Sequence, residues 1–291
     1  LRHLSSRKVI YDFSPDNEPA YSVNQSELVI VETQDCFSGM VKNPKKLFED
    51  VAMGDVNPAT GPINVEDILA GDTLCVSIDR IKCGPLGIMM CSPNVGYLSD
   101  DVRKSRTKIL KIHGDKATFS PGLEIDLRPH IGVLGVSPSK GAHPTFHPGD
   151  HGGNMDTVEV AAGSKVYLPT FVDGAMVAMG DMHAAMGDGE ISGTGVEVSG
   201  EVTVRFTRSD EVQVARPLIE TRTQWITYAA AKTLEEASRR ASSDLIKLIS
   251  FRSGMDFEEA YMLASAVADL KISQVVDPLM AARMSISKRY L

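Results

Sequence analysis

Imidazoles and carboxylates crowd into two short stretches of this chain, and the residues between them are too small to fill the space around them. The first stretch is Gly149-Asp150-His151-Gly152-Gly153-Asn154-Met155-Asp156; the second is Gly180-Asp181-Met182-His183-Ala184-Ala185-Met186-Gly187-Asp188-Gly189-Glu190. On a strand, Asp181 and His183 project from one face, the usual way for a strand to offer two metal ligands together. Asp188 and Glu190 repeat that spacing after Gly187. Uncompensated buried charge costs several kcal/mol, so burial of these groups predicts a cation or protons among them; a solvated acidic turn is the plainer alternative. In the first stretch, the uncovered N–H groups of Gly152 and Gly153 beside His151 could donate to a developing oxyanion. Asn154 could fix a substrate amide through its paired donor and acceptor. A hairpin that uses its glycines for positive φ explains the same residues without chemistry.

The elements that must position these groups read as strands over roughly the first two hundred residues. Residues 26–32, 73–81, 108–112 and 195–206 are β-branched or alternate with period two. Turn clusters at 57–62, 120–122 and 137–141 separate them, because their Gly and Pro hold dihedrals that a strand cannot. The last third changes character. Thr233-Leu234-Glu235-Glu236 has the form of a capping box, and Ala237, Ala241, Leu245, Leu248 and Ile249 follow at helical spacing, which predicts a helix ending near Gly254. A second helix is expected after Asp256, with Glu258 and Glu259 favouring its dipole, and 271–276 is expected to return as a strand. The expected architecture is therefore mainly β with an α+β C-terminal part, a jelly-roll-like β-sandwich forming one unit over 1–291, β-rich to 225 and helix-containing from 226.

With 43% hydrophobic and 23% charged residues, the chain has the balance of an ordinary globular protein. Its net charge of −8 repels a phosphate backbone, so nucleic acid is not expected as a partner. No apolar stretch of about 20 residues is present to span a bilayer, and residues 1–14 lack the apolar core of a secretory signal; a cytoplasmic protein is the expectation. Cys36, Cys75, Cys83 and Cys91 have no C-x-x-C spacing and read as reduced thiols, with Cys36 a candidate nucleophile if a base lies near it. His3 reads as a surface residue, His113 and His130 as structural, and His143 and His147 as loop residues on the approach to the Gly-Gly turn.

Seven segments together resemble the acetamidase/formamidase family: VETQDCFSG (31–39), NPATGPINVED (57–67), GDTLCVSI (71–78), HPGDHGGNMD (147–156), AGSKVYLPTFVDGA (162–175), MGDMHAAMGDGEISGT (179–194) and DLKISQVVDP (269–278). The resemblance implies an acetamidase/formamidase-like β-sandwich, a homodimer, a bound divalent cation (zinc, or else calcium) and hydrolysis of short aliphatic amides such as acetamide and formamide to carboxylate and ammonia. Positions matching the family signature are Asp35, Glu66, His151, Asn154, Asp181, His183, Asp188 and Glu190. Two departures stand out: Met186 replaces the usual glutamine, and Asp150 precedes His151 where a non-acidic residue is common. A thioether cannot donate the hydrogen bonds of an amide.

The resulting expectation assigns Asp35, His151, Asp181 and His183 to the metal and Gly152, Gly153 and Asn154 to the substrate. Glu190 is the expected proton carrier, Asp188 a supporting carboxylate and Glu66 an alternative base. Hydrolysis of a γ-lactam or larger amide at the same site is the nearest alternative. A thiol amidase using Cys36, a non-catalytic ligand-binding sandwich and a metal-dependent oxygenase remain as rivals of other kinds.

Overall fold

The computed structural model describes residues 1–291. Seventeen strands share one hydrogen-bonded network, mostly antiparallel, and two helices follow in the C-terminal part. The expected mainly β architecture is therefore what the chain adopts. Its longest strand, Thr73–Cys91, extends beyond the expected 73–81 because its second half finds partners on both sides. Glu197–Arg208 runs antiparallel along most of its length, and Arg106–His113 pairs with its end. One core joins these strands, including Val31, Ile63, Leu74, Val76, Ile131, Val177, Val202 and Phe206, all fully buried. Such β-branched and aromatic residues suit a pleated surface packed on both sides.

The helices begin and end where capping chemistry places them. In α1, Leu234–Ser253, the Thr233 side chain accepts the Glu236 N–H, and Gly254 closes the helix in the left-handed region at φ 75°. Its Ala237, Ala241, Leu245 and Ile249 are buried, and it packs on the paired strands Gln224–Ala231 and Met280–Ser287. In α2, Phe257–Val267, Asp256 accepts the Glu259 N–H at 2.9 Å. The strand after it is Asp269–Gln274, two residues earlier than expected. Beyond it, the Gln274 side chain accepts the N–H groups of Val276 and Asp277 at 2.8 and 3.0 Å, which turns the chain out of the ladder.

Three adjacent strands position the chemistry. His130–Gly135 pairs antiparallel with Val177–His183, so that His130 faces His183 across the ladder. On its other side, Val177–His183 pairs with the start of Glu197–Arg208, and His183 faces Glu197. His130, His183 and Glu197 thus form a row across three strands.

Candidate functional site

That row is the axis of a buried acidic cluster. His183 Nε2 lies 2.9 Å from Glu197 Oε1, 3.5 Å from Glu190 Oε1 and 3.8 Å from Asp181 Oδ1, and His183 Nδ1 lies 3.9 Å from Asp156 Oδ1. All five of these residues are buried. Asp277 joins from the turn after Gln274, held by the Asn154 side-chain amide at 2.9 Å, while the Asn57 amide donates to Asp181 Oδ2 at 3.0 Å. Burial is the main cause that lifts every carboxyl here: Asp156 to about 7, with Asp181 adding repulsion, and Glu197 to about 8. Asp181, Glu190 and Asp277 lie well above the usual carboxylate range for the same reason, with their acidic neighbours adding to it.

The backbone is bent to achieve this crowding. Asn57, Asp156, Asp181 and Glu190 all sit in the left-handed region, at φ 51°, 41°, 51° and 48°. Residues other than glycine rarely adopt it, and each such residue costs roughly 1–3 kcal/mol. Opposite them, Gly132 supplies the room: a Cβ there would stand 2.7 Å from Asp156 Oδ1 and 2.7 Å from both Asp181 O and Asp181 Oδ2. The N–H groups of Met155 and Asp156 reach back to the Gly132 carbonyl at 2.8 and 3.3 Å, which pins the acidic corner to this strand.

The hydrogen bonds fix the tautomer of His183. His130 Nδ1 lies 2.9 Å from the Arg128 carbonyl, an acceptor only, so that nitrogen carries the proton and Nε2 bears a lone pair. His183 Nδ1 lies 3.2 Å from this Nε2 and donates to it. Burial, with His183 alongside, pushes the His130 pKa down to about 3, which keeps it neutral. His183 Nε2 is left facing carboxylate oxygens, and although Glu197 Oε1 is 2.9 Å away it is out of line for a hydrogen bond. Both Asp156 oxygens and Glu197 Oε2 likewise have no hydrogen-bond partner. Buried acceptors turned toward one another require something positive between them.

Two groups of donors fit a cation. Asp156, His183 and Glu190 offer ligand atoms within 4.8 Å of one another, and so do Cys36, Asp181 and Glu197. Imidazole, carboxylate and thiolate together match the donor set of zinc and similar divalent ions. As a nucleophile Cys36 is poorly prepared, because burial and the neighbouring Glu197 hold its thiol pKa well above normal, opposite to an activated cysteine.

Of the expected site residues, Asp181, His183, Glu190 and Asn154 come together and six do not. His151 turns away: its ring packs on Phe13 and His143 at centroid distances of 5.2 and 5.0 Å. Burial first, then His143 and His147, lowers its pKa to about 3, and no member of the acidic cluster contributes. The reading of Gly152 and Gly153 as oxyanion donors gives way to a packing role, since they form a hairpin with Pro148 and Gly149. A Cβ on either would come within 2.3 Å of the Leu134 carbonyl or 2.2 Å of the His147 carbonyl. Asp35 caps its own turn, Oδ1 accepting the N–H groups of Phe37 and Gly39 at 3.0 and 3.2 Å, and it is the next residue, Cys36, that faces the cluster. Glu66 is exposed and bonded to Ser22 and Asn64. Asp188 is half-exposed and pairs with Arg283 at 2.7 Å. That fully buried arginine also holds Glu159 and the Ile272 carbonyl, and so braces the loop that carries Glu190.

Asp156, Glu197, Asp277, Asn57 and His130 are site residues that the sequence does not single out, and Cys36, a candidate nucleophile by its sequence, stands here among the possible ligands instead. Asp156 closes the first motif, five residues after His151, where no strand spacing marks it as a ligand. Glu197 gave one legible signal, an acid between Val196 and Val198 at the head of an alternating strand.

A cleft of about 510 Å³ opens onto the cluster, with Asn154, Asp181, Glu190, Glu197 and Asp277 at its acidic part. Met186 does not line it and is buried.

The family model for the acetamidase/formamidase family matches residues 5–144 and 140–287. The fold superimposes on the crystal structure of an acetamidase from Bacillus halodurans with a TM-score of 0.97 and 40% identity, covering 99% of this chain and 98% of that one. A predicted acetamidase/formamidase from Thermoanaerobacter tengcongensis gives 0.96 at 38% identity, covering 99% and 96%. A putative formamidase of Schizosaccharomyces pombe is 26% identical over 252 residues, 66% of this chain, which spans only 62% of that relative's length.

Proposed function

The chain belongs to the acetamidase/formamidase family, and from that premise we propose that it hydrolyses linear amides, of the acetamide and formamide type, to a carboxylate and ammonia with a divalent cation, zinc by its donor set, bound in the acidic cluster. The observation that carries this reading is the bare Nε2 of His183, aimed by His130 among carboxylates with no proton in line. Asp156 and His183, with Asp181, Glu197 and Cys36 beside them, would hold the ion, and Glu190, whose Oε1 lies 3.5 Å from His183 Nε2, would stand next to it as the proton carrier. Such an ion acidifies water and polarises an amide carbonyl.

The chain's own groups supply the rest. Asn57 and Asn154 stand at the acidic part of the cleft with amides that can orient a substrate amide. Glu190, whose burial beside Asp156 raises its proton affinity, takes a proton from the attacking water as the water oxygen bonds to the carbonyl carbon. It then delivers that proton to the nitrogen; the C–N bond breaks, and ammonia leaves with the pair it needs. Glu190→Gln should lower ammonia release by on the order of 10²–10⁴ while the protein keeps its metal. Full turnover by this variant would remove Glu190 from the reaction, and turnover unaffected by chelation would remove the cation.

A further inference from the structure

Resting on the amidase reading, we propose that the preferred substrate is a primary amide whose acyl group is uncharged, apolar and about five to eight carbons long, so that acetamide and formamide are poor members of the substrate series. The cleft is the first reason. Its 510 Å³ corresponds to on the order of seventeen water volumes at about 30 Å³ each, and the four non-hydrogen atoms of acetamide would leave most of that space wet. The volume falls in the range of pockets that enclose molecules of drug size.

The cleft is also amphipathic in a way that orients its occupant. The carboxylates, Asn57 and Asn154 belong to the acidic cluster. Phe37, Phe48, Phe146 and Val56 also line the cleft and belong to, or pack against, a single apolar cluster, and Val275 and Pro278 add apolar surface. An amide head fits the first group and a hydrocarbon tail the second. No lysine or arginine lines the cleft, so an anionic tail would meet the acidic cluster without compensation. The half-exposed Met53 stands at its edge, where a flexible thioether tolerates tails of different shape.

The test measures kcat/KM for ammonia release by the metal-loaded full chain across acetamide, propionamide, butyramide and hexanamide, with pentanamide compared against succinamate. Each buried methylene should raise kcat/KM about fourfold, giving a gain on the order of 100-fold from acetamide to hexanamide. Succinamate should fall at least tenfold below pentanamide. Phe48→Ala, a change at a half-buried wall position, should reduce the hexanamide-to-acetamide ratio about tenfold. A flat or falling series, equal use of succinamate, or an unchanged ratio in the variant overturns the acyl-pocket proposal. If acetamide is still hydrolysed in that case, the amidase reading stands; no ammonia from any amide overturns both.

Discussion

Replacing His130 tests the central inference about the site, because its effect is transmitted through a single hydrogen bond. In His130→Phe the ring volume is retained, but the acceptor for His183 Nδ1–H, now at 3.2 Å, and the donor to the Arg128 carbonyl, at 2.9 Å, are both lost. Each polar group orphaned in the interior costs roughly 1–3 kcal/mol. His183 relieves its share by moving its proton to Nε2, the nitrogen that faces the carboxylates. That tautomer cannot coordinate a cation through Nε2, and loss of such supporting partners typically costs about 10–100-fold in metal affinity or activity. In His130→Gln, by contrast, the side-chain oxygen can take the place of the imidazole Nε2 and keep His183 in its present tautomer. Metal content, kcat/KM for ammonia release and melting temperature should be measured for both. The expected result is a 10–100-fold loss of metal affinity and activity in the phenylalanine variant, with substantial recovery in the glutamine variant at comparable stability. Equal metal affinity and turnover in all three proteins would refute the argument that His130 sets the proton on His183.

Gly132→Ala places a methyl group 2.7 Å from oxygens of both Asp156 and Asp181, so activity should fall at least tenfold by the scale of overpacking costs, roughly 1–3 kcal/mol; kinetics and a melting curve on the variant check this. In metal-free protein, the raised folded pKa values of Asp156 and Glu197, about 7 and 8, mean that the folded state holds protons that the unfolded chain releases near pH 4. The carboxyls therefore oppose folding least below that pH, and stability should decline toward pH 8 by about 1.4 kcal/mol per pH unit for each such proton. Thermal unfolding in chelator from pH 5 to 8 should show this fall, and saturating zinc should abolish or reverse it. Arg283→Leu takes the partner from the solvent-accessible Asp188 and Glu159 and orphans the Ile272 carbonyl, so it should destabilise the fold by about 1–3 kcal/mol, measurable by denaturant titration.

The architecture was legible because local chemistry and tertiary context agree over most of the chain. Thr233 and Gly254 bound α1 by capping, and the alternation in 195–206 is a strand because half-buried sheets need it. The site was legible where its residues fall within the two short motifs, as Asn154 and Glu190 do, and most directly where ligand spacing equals strand spacing. Asp181 and His183 satisfy that condition; Glu197, Asp277, Asn57 and Cys36 do not, since strand register brings Glu197 opposite His183 and loop closure brings Asp277 to Asn154 across 123 residues and Asn57 to Asp181 across 124, with Cys36 arriving from the same early part of the chain as Asn57. His151 and the two glycines misled for a specific reason. A histidine followed by Gly-Gly carries the same letters whether the glycines uncover N–H groups for a ligand or allow two backbones to touch, and here Leu134 and His147 occupy the space.

The strained backbone and the register row bear on one another. A carboxylate on an ordinary strand residue would relax toward solvent when deprived of a partner, since rotamer freedom is inexpensive at a surface. Asp156, Asp181 and Glu190 are denied that route: their left-handed backbones are braced by the Gly132 carbonyl, by the ladder through His183, and by the Gly187–Glu190 loop tied to Ser273 and Arg283. Repulsion among them is therefore stored in a rigid frame rather than dissipated by movement. A cation entering that frame needs little rearrangement of its ligands, which is the condition for tight binding and for electrostatic stabilisation without reorganisation during reaction. On this argument, relaxing one brace should weaken metal binding even when every ligand remains, so a change at Gly132 or Arg283 is expected to act on the ion before it acts on the substrate.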